Sequence, residues 1–504
     1  MRECSRTHGR GASDPGAPAC SGAAGPLFFA DAAFTTCVPV IVLVADGARL
    51  DAFTGELTDL PALRRLRDEG GLSAVSTVFP SVTGPAYTPF LLGRFPGAIG
   101  IPALRWYDRA RTVCGWPDYA RSYVGYQFSR FDDDLDPAAP TIFELVPDSI
   151  AALSVVTRGL APSRRLGTLT ARSALRVALT HFRGRAERWL DVDREVAETI
   201  VRRMRDDRPD YLFAAFTGVD KASHARGHGS ELVREALRIV DGAVGQLRAD
   251  AERGGWWNDT HLWIVSDHGH TAVHSHEDLA GLVASAGLRT VAHPWSAGIA
   301  PDAAVMVSGN AMAHIYLGLE QRDRAWWSSL ARRSKARALA DLLLARPSVD
   351  LLLLPHSSDR CEVRSASRGN AIVSRAGGEF RYERGSGDAL HYGADLRGSA
   401  DEVYDATRDS DYPDGIVQIL SLAGSARAGD LILSAAPGWD FRSRYEPIPH
   451  RSAHGALHRD HMIVPLLTNR SPARPPRRTT DVFASTLAAL GVAPPPVLDG
   501  ESFI

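Results

Sequence analysis

Short apolar runs alternate with amphipathic stretches along the chain from Val38 onward. Five runs have the length of a strand and are almost continuously apolar, which is typical of strands buried on both faces. These candidate central strands are VIVLVA (40–45), LSVVT (153–157), YLFAAF (211–216), HLWIVS (261–266) and DLILSA (430–435). Residues 186–205 and 231–253 instead carry apolar side chains at helical spacing, opposite a charged face. This alternation predicts an α/β fold in which helices flank a mostly parallel central sheet.

Two segments interrupt the alternation. Residues 104–136 are dense in aromatic side chains, and we predict that they form a small cap inserted into the main domain. Residues 361–384 alternate apolar and polar positions between glycines, which predicts β-hairpins within an insertion near 348–400.

The sequence predicts a flexible N-terminal tail over residues 1–36, because this segment is rich in Gly, Ala, Pro and Ser. One domain over residues 37–504 follows it and closes with a helix over 480–490.

Composition and charge exclude several classes of protein. The 504 residues include 57 basic and 59 acidic side chains, for a formal net charge of −2, and 44% are hydrophobic, which is ordinary globular composition. Without a clustered positive excess, neither nucleic acid nor an anionic membrane is expected as a partner. The longest clean apolar run (37–45) has nine residues, against the ~20 that a membrane-spanning helix needs. Residues 1–36 show no signal-peptide pattern, so we expect a cytoplasmic protein.

Three of the predicted strands run directly into an aspartate. VIVLVA leads into Asp46, YLFAAFTGV into Asp220, and HLWIVS into Asp267. A single Asp-Gly after a strand is usually a turn. Three carboxylates at the same edge of a parallel sheet, however, would repel one another unless a cation lay between them. The pattern therefore favours a divalent metal site at this edge.

Histidines near these aspartates supply the other ligand type. His224 stands four residues after Asp220, so one face of a helical turn would present both side chains, and His268 directly follows the third aspartate. His454, in SAHG, is a candidate from a fourth segment, and His458, one turn further on, is the alternative. A set of aspartates and imidazoles suits zinc, with manganese and iron as other candidates.

Thr83 is the candidate nucleophile, in the segment VFPSVTGPAYTPFLLGRFPGAIGI (78–101). Because Gly84 and Pro85 follow it, it also has the sequence of a helix N-cap, which would be a structural role. A hydroxyl at that place lies in the positive field of a helix N-terminus, where phosphate binds well. Beside a metal ion the hydroxyl loses its proton more easily and becomes a nucleophile. The segment is compatible with both interpretations.

With these residues in place, the chain resembles the alkaline phosphatase superfamily, and within it the type I phosphodiesterase/nucleotide pyrophosphatase family. In that family a glycine, a proline and a Gly-Ile pair follow the nucleophilic threonine at set spacings, as Gly93, Pro96 and Gly100-Ile101 follow Thr83 in this chain. The resemblance runs roughly from residue 40 to residue 504. It implies an alkaline phosphatase-like fold with two zinc ions, one held by Asp46, Thr83, Asp267 and His268, the other by Asp220, His224 and His454.

The resemblance also implies an activity. It indicates a phosphodiesterase or nucleotide pyrophosphatase that cleaves a small-molecule phosphate ester or anhydride through a phosphothreonine intermediate. Val82, Gly84 and Ala86 depart from the family, which has lysine, phenylalanine and asparagine there; the phenylalanine packs on a nucleobase. These departures put nucleotide specificity in doubt and leave a phosphomonoesterase or phosphonate hydrolase as alternatives. An inactive binding homologue is disfavoured, because all seven ligand positions carry competent residues.

Overall fold

The computed structural model describes residues 38–109, 120–124, 126–167, 186–293, 301–442 and 450–504. Residues Val38–Ile504 belong to one compact unit. The predicted tail over residues 1–36 lies outside the described residues, and the predicted domain boundaries stay predictions. Within the described ranges, no helix is both long enough and apolar enough to cross a bilayer.

Strands and α-helices follow one another along the described residues. In chain order, the strands are β1 (Val40–Ala45), β2 (Leu72–Ser76), β3 (Arg105–Tyr107), β4 (Ala120–Ser122), β5 (Ser149–Ala152), β6 (Arg165–Leu166), β7 (Tyr211–Phe216), β8 (His261–Val265), β9 (Thr271–His276), β10 (Thr290–Ala292), β11 (Ala303–Ser308), β12 (Met312–Leu317), β13 (Val349–Ser357), β14 (Arg360–Ser365), β15 (Gly369–Ala376), β16 (Glu379–Arg384), β17 (Leu396–Gly398), β18 (Leu431–Ala435), β19 (Gly438–Asp440), β20 (Ser452–Ala453) and β21 (Ile463–Thr468). The α-helices are Pro61–Gly70, Thr88–Leu92, Phe131–Asp134, Ile142–Leu145, Glu187–Asp206, Gly218–Arg226, Glu231–Arg253, Leu279–Ser285, Trp327–Leu330, Ser334–Leu344, Ala400–Thr407, Gly415–Ala423, Arg459–Met462 and Thr480–Ala489.

The central sheet has the strand order β2-β21-β8-β1-β7-β5-β6. The five strands β8, β1, β7, β5 and β6 run parallel to one another. At the other edge, β21 is antiparallel to β8, and β2 is antiparallel to β21. The predicted mostly parallel sheet is confirmed, and VIVLVA, YLFAAF and HLWIVS are its three adjacent strands β1, β7 and β8.

Burial on both faces keeps β1 at the centre of this sheet. Its even-numbered residues lie in one hydrophobic cluster and its odd-numbered residues in another, and every residue is buried. Each fully buried aliphatic side chain contributes about 1.5–3 kcal/mol relative to exposure, so the strand is stable only with cover on both sides. Helices provide it: on one face Thr480–Ala489, and on the other Pro61–Gly70, Glu187–Asp206 and Glu231–Arg253.

A second sheet has the order β10-β11-β12-β18-β13-β14-β15-β16-β17, and only β10 and β11 pair in parallel among its assigned pairs. The segment predicted as hairpins forms its strands β14, β15 and β16. Our prediction of DLILSA as a central strand is wrong, because this run forms β18, antiparallel to β12 and β13 in the second sheet. A fully buried apolar run looks the same in either sheet, and only its partners distinguish the two.

The prediction of a strand at LSVVT is also wrong. The strand of this region is β5, which ends at Ala152. The next residue, Leu153, has a φ of +52°, and the chain turns there instead of continuing in extended form. The sequence analysis also missed β21, a strand of the central sheet whose six residues are all buried.

Part of the predicted cap is described. β3 and β4 form an antiparallel pair, and residues 110–119 and 125 of the predicted cap lie outside the described residues. The ring nitrogen of the fully buried Trp106 donates to the Tyr123 hydroxyl at 3.0 Å. The backbone N–H of Arg105 donates to Ser308 Oγ on β11 at 3.1 Å. The β3–β4 pair therefore contacts the second sheet.

Candidate metal centre

The candidate centre lies at the carboxyl-terminal edge of the central sheet. β8, β1 and β7 are neighbouring parallel strands, so the residues that follow them meet at one edge. Asp46 follows β1, the pair Asp267–His268 follows β8, and the helix Gly218–Arg226, with Asp220 and His224, follows β7. The predicted convergence of the three aspartates is therefore seen in the fold.

His454 and Thr83 reach the same edge from other segments. His454 follows β20, which pairs with β9, the strand that begins just after the Asp267–His268 pair. An isolated β-bridge joins Ser81 to Gly455, and Nδ1 of His454 lies 2.9 Å from the Ser81 carbonyl oxygen. These contacts bring the Thr83 loop to the centre. The structure thus gathers all seven residues predicted from the sequence.

The first cluster consists of Asp46, Asp267 and His268, whose ligand-type atoms all lie within 4.8 Å of one another. Nε2 of His268 is 3.4 Å from Asp46 Oδ1 and 3.5 Å from Asp267 Oδ2. The Thr83 hydroxyl oxygen lies 3.2 Å from Asp46 Oδ1 and 3.1 Å from His268 Nε2. Oδ2 of Asp267 is buried and accepts no hydrogen bond from the described residues. A buried carboxylate oxygen of this kind is costly unless a cation coordinates it.

The second cluster consists of Asp220, His224 and His454. Nε2 of His224 lies 3.2 Å and Nε2 of His454 3.6 Å from Asp220 Oδ1. The ammonium group of Lys221 donates to Asp220 Oδ2 at 2.7 Å, so the other carboxylate oxygen faces the imidazoles. The rings of His268 and His454 stack with centroids 3.6 Å apart. The two clusters are therefore adjacent parts of one site.

Backbone carbonyls set the proton positions of the three candidate histidine ligands. Each Nδ1 lies near one carbonyl oxygen: His224 at 2.8 Å from Ser452, His268 at 3.1 Å from Gly269, and His454 at 2.9 Å from Ser81. Because a carbonyl oxygen only accepts, Nδ1 carries the proton and Nε2 keeps its lone pair. A carbonyl partner of this kind is typical of metal-binding histidines.

Burial and charge repulsion determine the protonation of the carboxylates. Burial raises the pKa of Asp46 well above its usual range, and repulsion from Asp267 and Asp220 adds to it. Burial likewise raises the pKa of Asp267. Burial also opposes ionisation of Asp220, but the Lys221 ammonium group and a hydrogen bond from His270 help to hold the pKa of Asp220 well below its ordinary value. A divalent cation would stabilise the charged carboxylates, so this nitrogen and oxygen donor set fits such an ion.

The N-cap interpretation of Thr83 is wrong. Gly84 is the residue that precedes the short helix Pro85–Tyr87, and no side chain in the described part of the chain caps this helix. The Thr83 hydroxyl instead contacts Asp46 and His268. The sequence analysis missed Tyr87, whose hydroxyl donates to Asp46 Oδ2 at 3.1 Å. Its spacing of four residues from Thr83 is the only signal that could have indicated it.

A buried carboxylate holds the start of the helix that carries Asp220. Asp193 accepts the backbone N–H groups of Thr217 at 2.9 Å and Gly218 at 2.8 Å. We expect Asp193→Ala to lower the free energy of unfolding by about 1–3 kcal/mol, because it removes the acceptor of these two backbone N–H groups. Thermal unfolding followed by circular dichroism measures the change. The matched control is Asp191→Ala, which removes an exposed carboxylate from Glu187–Asp206, the helix that also carries Asp193. Equal unfolding midpoints for the two variants would contradict the prediction.

A family model for type I phosphodiesterases/nucleotide pyrophosphatases matches residues 40–457. The chain belongs to this family. The resemblance inferred from Thr83 and the spaced glycines is thereby confirmed. The chain is a hydrolase acting on phosphoric ester or anhydride bonds, in a metal-dependent family, and the two clusters are its candidate metal-binding groups.

Solved structures share the fold at low sequence identity. Phosphonoacetate hydrolase from Sinorhizobium meliloti 1021, in complex with phosphonoformate, is 16% identical, with 90% of this chain and 96% of that chain covered and a TM-score of 0.53. Murine ectonucleotide pyrophosphatase/phosphodiesterase 5 is 15% identical, with coverage of 91% and 96% and a TM-score of 0.54. The human protein of that name is 14% identical, with coverage of 92% and 97% and a TM-score of 0.55. No curated protein matches the chain. The similarity to these solved structures confirms the alkaline phosphatase-like fold.

Proposed function

We propose that this chain is a two-zinc phosphodiesterase in which Thr83 is the nucleophile. One observation carries the proposal: the Thr83 hydroxyl lies 3.2 Å from Asp46 Oδ1 and 3.1 Å from His268 Nε2. The nearby Thr88 instead directs its hydroxyl to the Pro85 carbonyl oxygen. Thr83 instead faces two groups of a cluster suited to a cation.

Both clusters have the donor types that zinc prefers. Asp46, Thr83, Asp267 and His268 would hold one ion, and Asp220, His224 and His454 the other. When bound, such a pair of ions supplies Lewis-acid stabilisation for the attacking and leaving oxygens and lowers the pKa of a nearby hydroxyl. Lys221, which donates to the outer oxygen of Asp220, adds positive charge beside the second group.

The residues of the chain carry out two displacements at phosphorus. Thr83 Oγ1 gives up its proton to solvent and forms a bond to phosphorus, while the bond from phosphorus to the leaving alcohol oxygen breaks. The leaving oxygen takes a proton from solvent. A water molecule then attacks phosphorus in the Thr83 ester and gives up one proton to solvent. The bond between Thr83 Oγ1 and phosphorus breaks, and Thr83 Oγ1 takes up a proton. Two successive inversions give net retention of configuration at phosphorus.

The segment after Thr83 favours substrates without a nucleobase. Gly84 has a φ of +94°, which a phenylalanine adopts only with strain, so the position lacks the family's aromatic side chain in both sequence and backbone. A Cβ at Gly84 would make ordinary contacts of 3.5 Å with side-chain carbons of Leu104 and Phe131, so the backbone conformation, and not a lack of space, disfavours a side chain there. The side chain of Ala86 likewise has no amide group that could bind a phosphate oxygen, unlike the asparagine of the family. We therefore propose a small diester, and not a nucleotide, as the preferred substrate.

A substrate panel tests this assignment. We expect the zinc-loaded chain to hydrolyse bis-p-nitrophenyl phosphate with a higher kcat/KM than p-nitrophenyl phosphate or the p-nitrophenyl ester of a nucleotide. Release of p-nitrophenol measures all three reactions under the same conditions. Preference for the monoester would identify a phosphomonoesterase, and preference for the nucleotide ester would contradict our interpretation of Gly84.

A phosphonate hydrolase is the second candidate function. Because Gly84 lacks the aromatic side chain that packs on a nucleobase, this position favours a phosphonate substrate as much as a small diester. The structurally similar phosphonoacetate hydrolase binds phosphonoformate and phosphonoacetate. Phosphonoacetate belongs in the same panel, with phosphate release as the measurement. Turnover of phosphonoacetate above that of the diester would establish this alternative.

A further inference from the structure

His270 is a completely buried histidine that belongs to neither proposed ligand set. It lies among the three histidines that do, with ring centroids 5.0 Å from His224, 5.4 Å from His268 and 5.1 Å from His454. Its Nε2 is also close enough to Asp220 and His268 to be taken for a ligand atom itself. Proximity alone therefore does not separate a ligand from a supporting residue.

The hydrogen-bond partners of His270 separate the two roles. Nε2 lies 3.0 Å from Asp220 Oδ1, and Nδ1 lies 3.1 Å from Ser452 Oγ. An ionised carboxylate only accepts, so Nε2 carries the proton and donates it to Asp220, and Nδ1 accepts from the Ser452 hydroxyl. This tautomer is opposite to that of the three candidate ligands, whose Nε2 atoms keep their lone pairs. His270 therefore offers Asp220 a proton and has no lone pair for an ion at Nε2.

Neighbouring segments are shaped to hold His270 in this place. A Cβ at Gly47 would lie 2.7 Å from His270 Nε2, so the glycine after Asp46 makes room for the ring. The Arg49 guanidinium donates to the His270 backbone carbonyl and lies 3.6 Å from the Asp460 carboxylate. Side chain and backbone of His270 are thus held by several of the segments that build the centre.

We propose that His270 is a positioning residue that sets the orientation of Asp220 for the second ion. His270 holds Oδ1 of Asp220 and Lys221 holds Oδ2, so the carboxylate cannot rotate and presents one remaining Oδ1 lone pair toward Nε2 of His224. The inference rests on the two-ion site proposed above. It predicts that His270 governs the ion at Asp220 and has little influence on the ion at Asp46.

Zinc titration of the metal-free full-length chain tests the assignment. Isothermal titration calorimetry with a competing chelator is expected to find two ions in the unmodified protein. In His270→Leu we expect one ion to bind with unchanged affinity and the other about 10–100-fold more weakly, the usual effect of losing a partner of a metal ligand. His270→Gln, whose amide can donate in place of Nε2–H, is expected to recover most of the loss.

Two further variants separate positioning from general damage to the core. His314 is another fully buried histidine, and its Nε2 contacts the Pro102 carbonyl oxygen at 3.2 Å, outside the centre. We expect His314→Leu to lower the unfolding midpoint without changing either zinc affinity. Ser452→Ala leaves the His224 carbonyl partner in place but removes the donor to His270 Nδ1, and we expect it to weaken the same ion as His270→Leu, by a smaller factor.

The possible outcomes distinguish this inference from the proposed function. Two unchanged zinc affinities in both His270→Leu and Ser452→Ala, or an equal loss of both ions, would overturn the positioning role alone. An unmodified chain that binds fewer than two ions would overturn the proposed function and this inference with it. Selective weakening of one ion, with recovery in His270→Gln, is the result that we expect.

Discussion

Replacement of Thr83 by alanine is expected to lower turnover of a small diester by about 10⁴-fold or more, the scale seen when a nucleophile is removed. The hydroxyl is the only group of this residue that can bond to phosphorus, and it lies 3.2 Å from Asp46 Oδ1 and 3.1 Å from His268 Nε2. We expect the zinc content to stay close to that of the unmodified chain. Three ligands of the first ion and all three of the second are untouched by this change.

Steady-state turnover and metal analysis measure these two effects together. Thr83→Ser keeps a hydroxyl and is expected to retain part of the activity. Thr88→Val, which removes a nearby hydroxyl that donates to the Pro85 carbonyl, is expected to keep most of it. Acid quenching of the unmodified enzyme during turnover of the diester, followed by peptide mass spectrometry, should find Thr83 esterified to phosphorus with the second ester group of the substrate still attached. A Thr83→Ala variant with unmodified turnover would exclude the nucleophile.

Chelation is expected to reduce activity to background while the core stays folded. The seven candidate residues lie on loops and on a helix at one edge of the central sheet, whereas β1 and its neighbours are packed between two hydrophobic clusters that need no ion. Metal loss leaves buried carboxylates facing one another, and burial and repulsion then favour protonation of Asp46. We expect a lower unfolding midpoint, but not unfolding, because this domain does not depend on metal for most of its buried surface.

Activity, circular dichroism and metal content should be followed as EDTA is added. Activity is expected to disappear well before the helical signal changes, and added Zn²⁺ should restore it. Dialysis of the same sample without chelator is the control for slow inactivation. Activity that persists when the metal content is zero would refute the mechanism. Unfolding that coincides with metal loss would show that the ions hold the fold together.

Most of the candidate centre could be predicted because its residues follow strands that the apolar pattern identifies. Asp46, Asp220 and Asp267 come after VIVLVA, YLFAAF and HLWIVS, and the parallel pairing of these strands brings their carboxyl ends to one edge. His224 and His268 could also be predicted, because each lies within four residues of one of those aspartates. The choice of His454 over His458 required the family resemblance, because this segment reaches the centre through β9 and the Ser81–Gly455 bridge, both distant in sequence.

Other features depend on partners that are distant in sequence. The roles of Tyr87, Lys221 and His270 follow from single hydrogen bonds to Asp46 or Asp220. The apolar run at β18 was assigned to the wrong sheet for the same reason, since its burial does not specify which strands pair with it. The helix predicted over 480–490 was found at Thr480–Ala489, because its amphipathic face and the following Gly491 are local signals.

Local periodicity and spacing in the linear chain were thus sufficient for the fold class, the strand ends that bear carboxylates, and Thr83 as a candidate. Tertiary packing was needed to show which way the Thr83 hydroxyl points and which strands share a sheet. It was also needed to show which imidazole nitrogens carry protons. The physical reason is that strand and helix patterns arise from side chains a few residues apart, whereas a proton position depends on the one atom that packs against it, often from a segment hundreds of residues away.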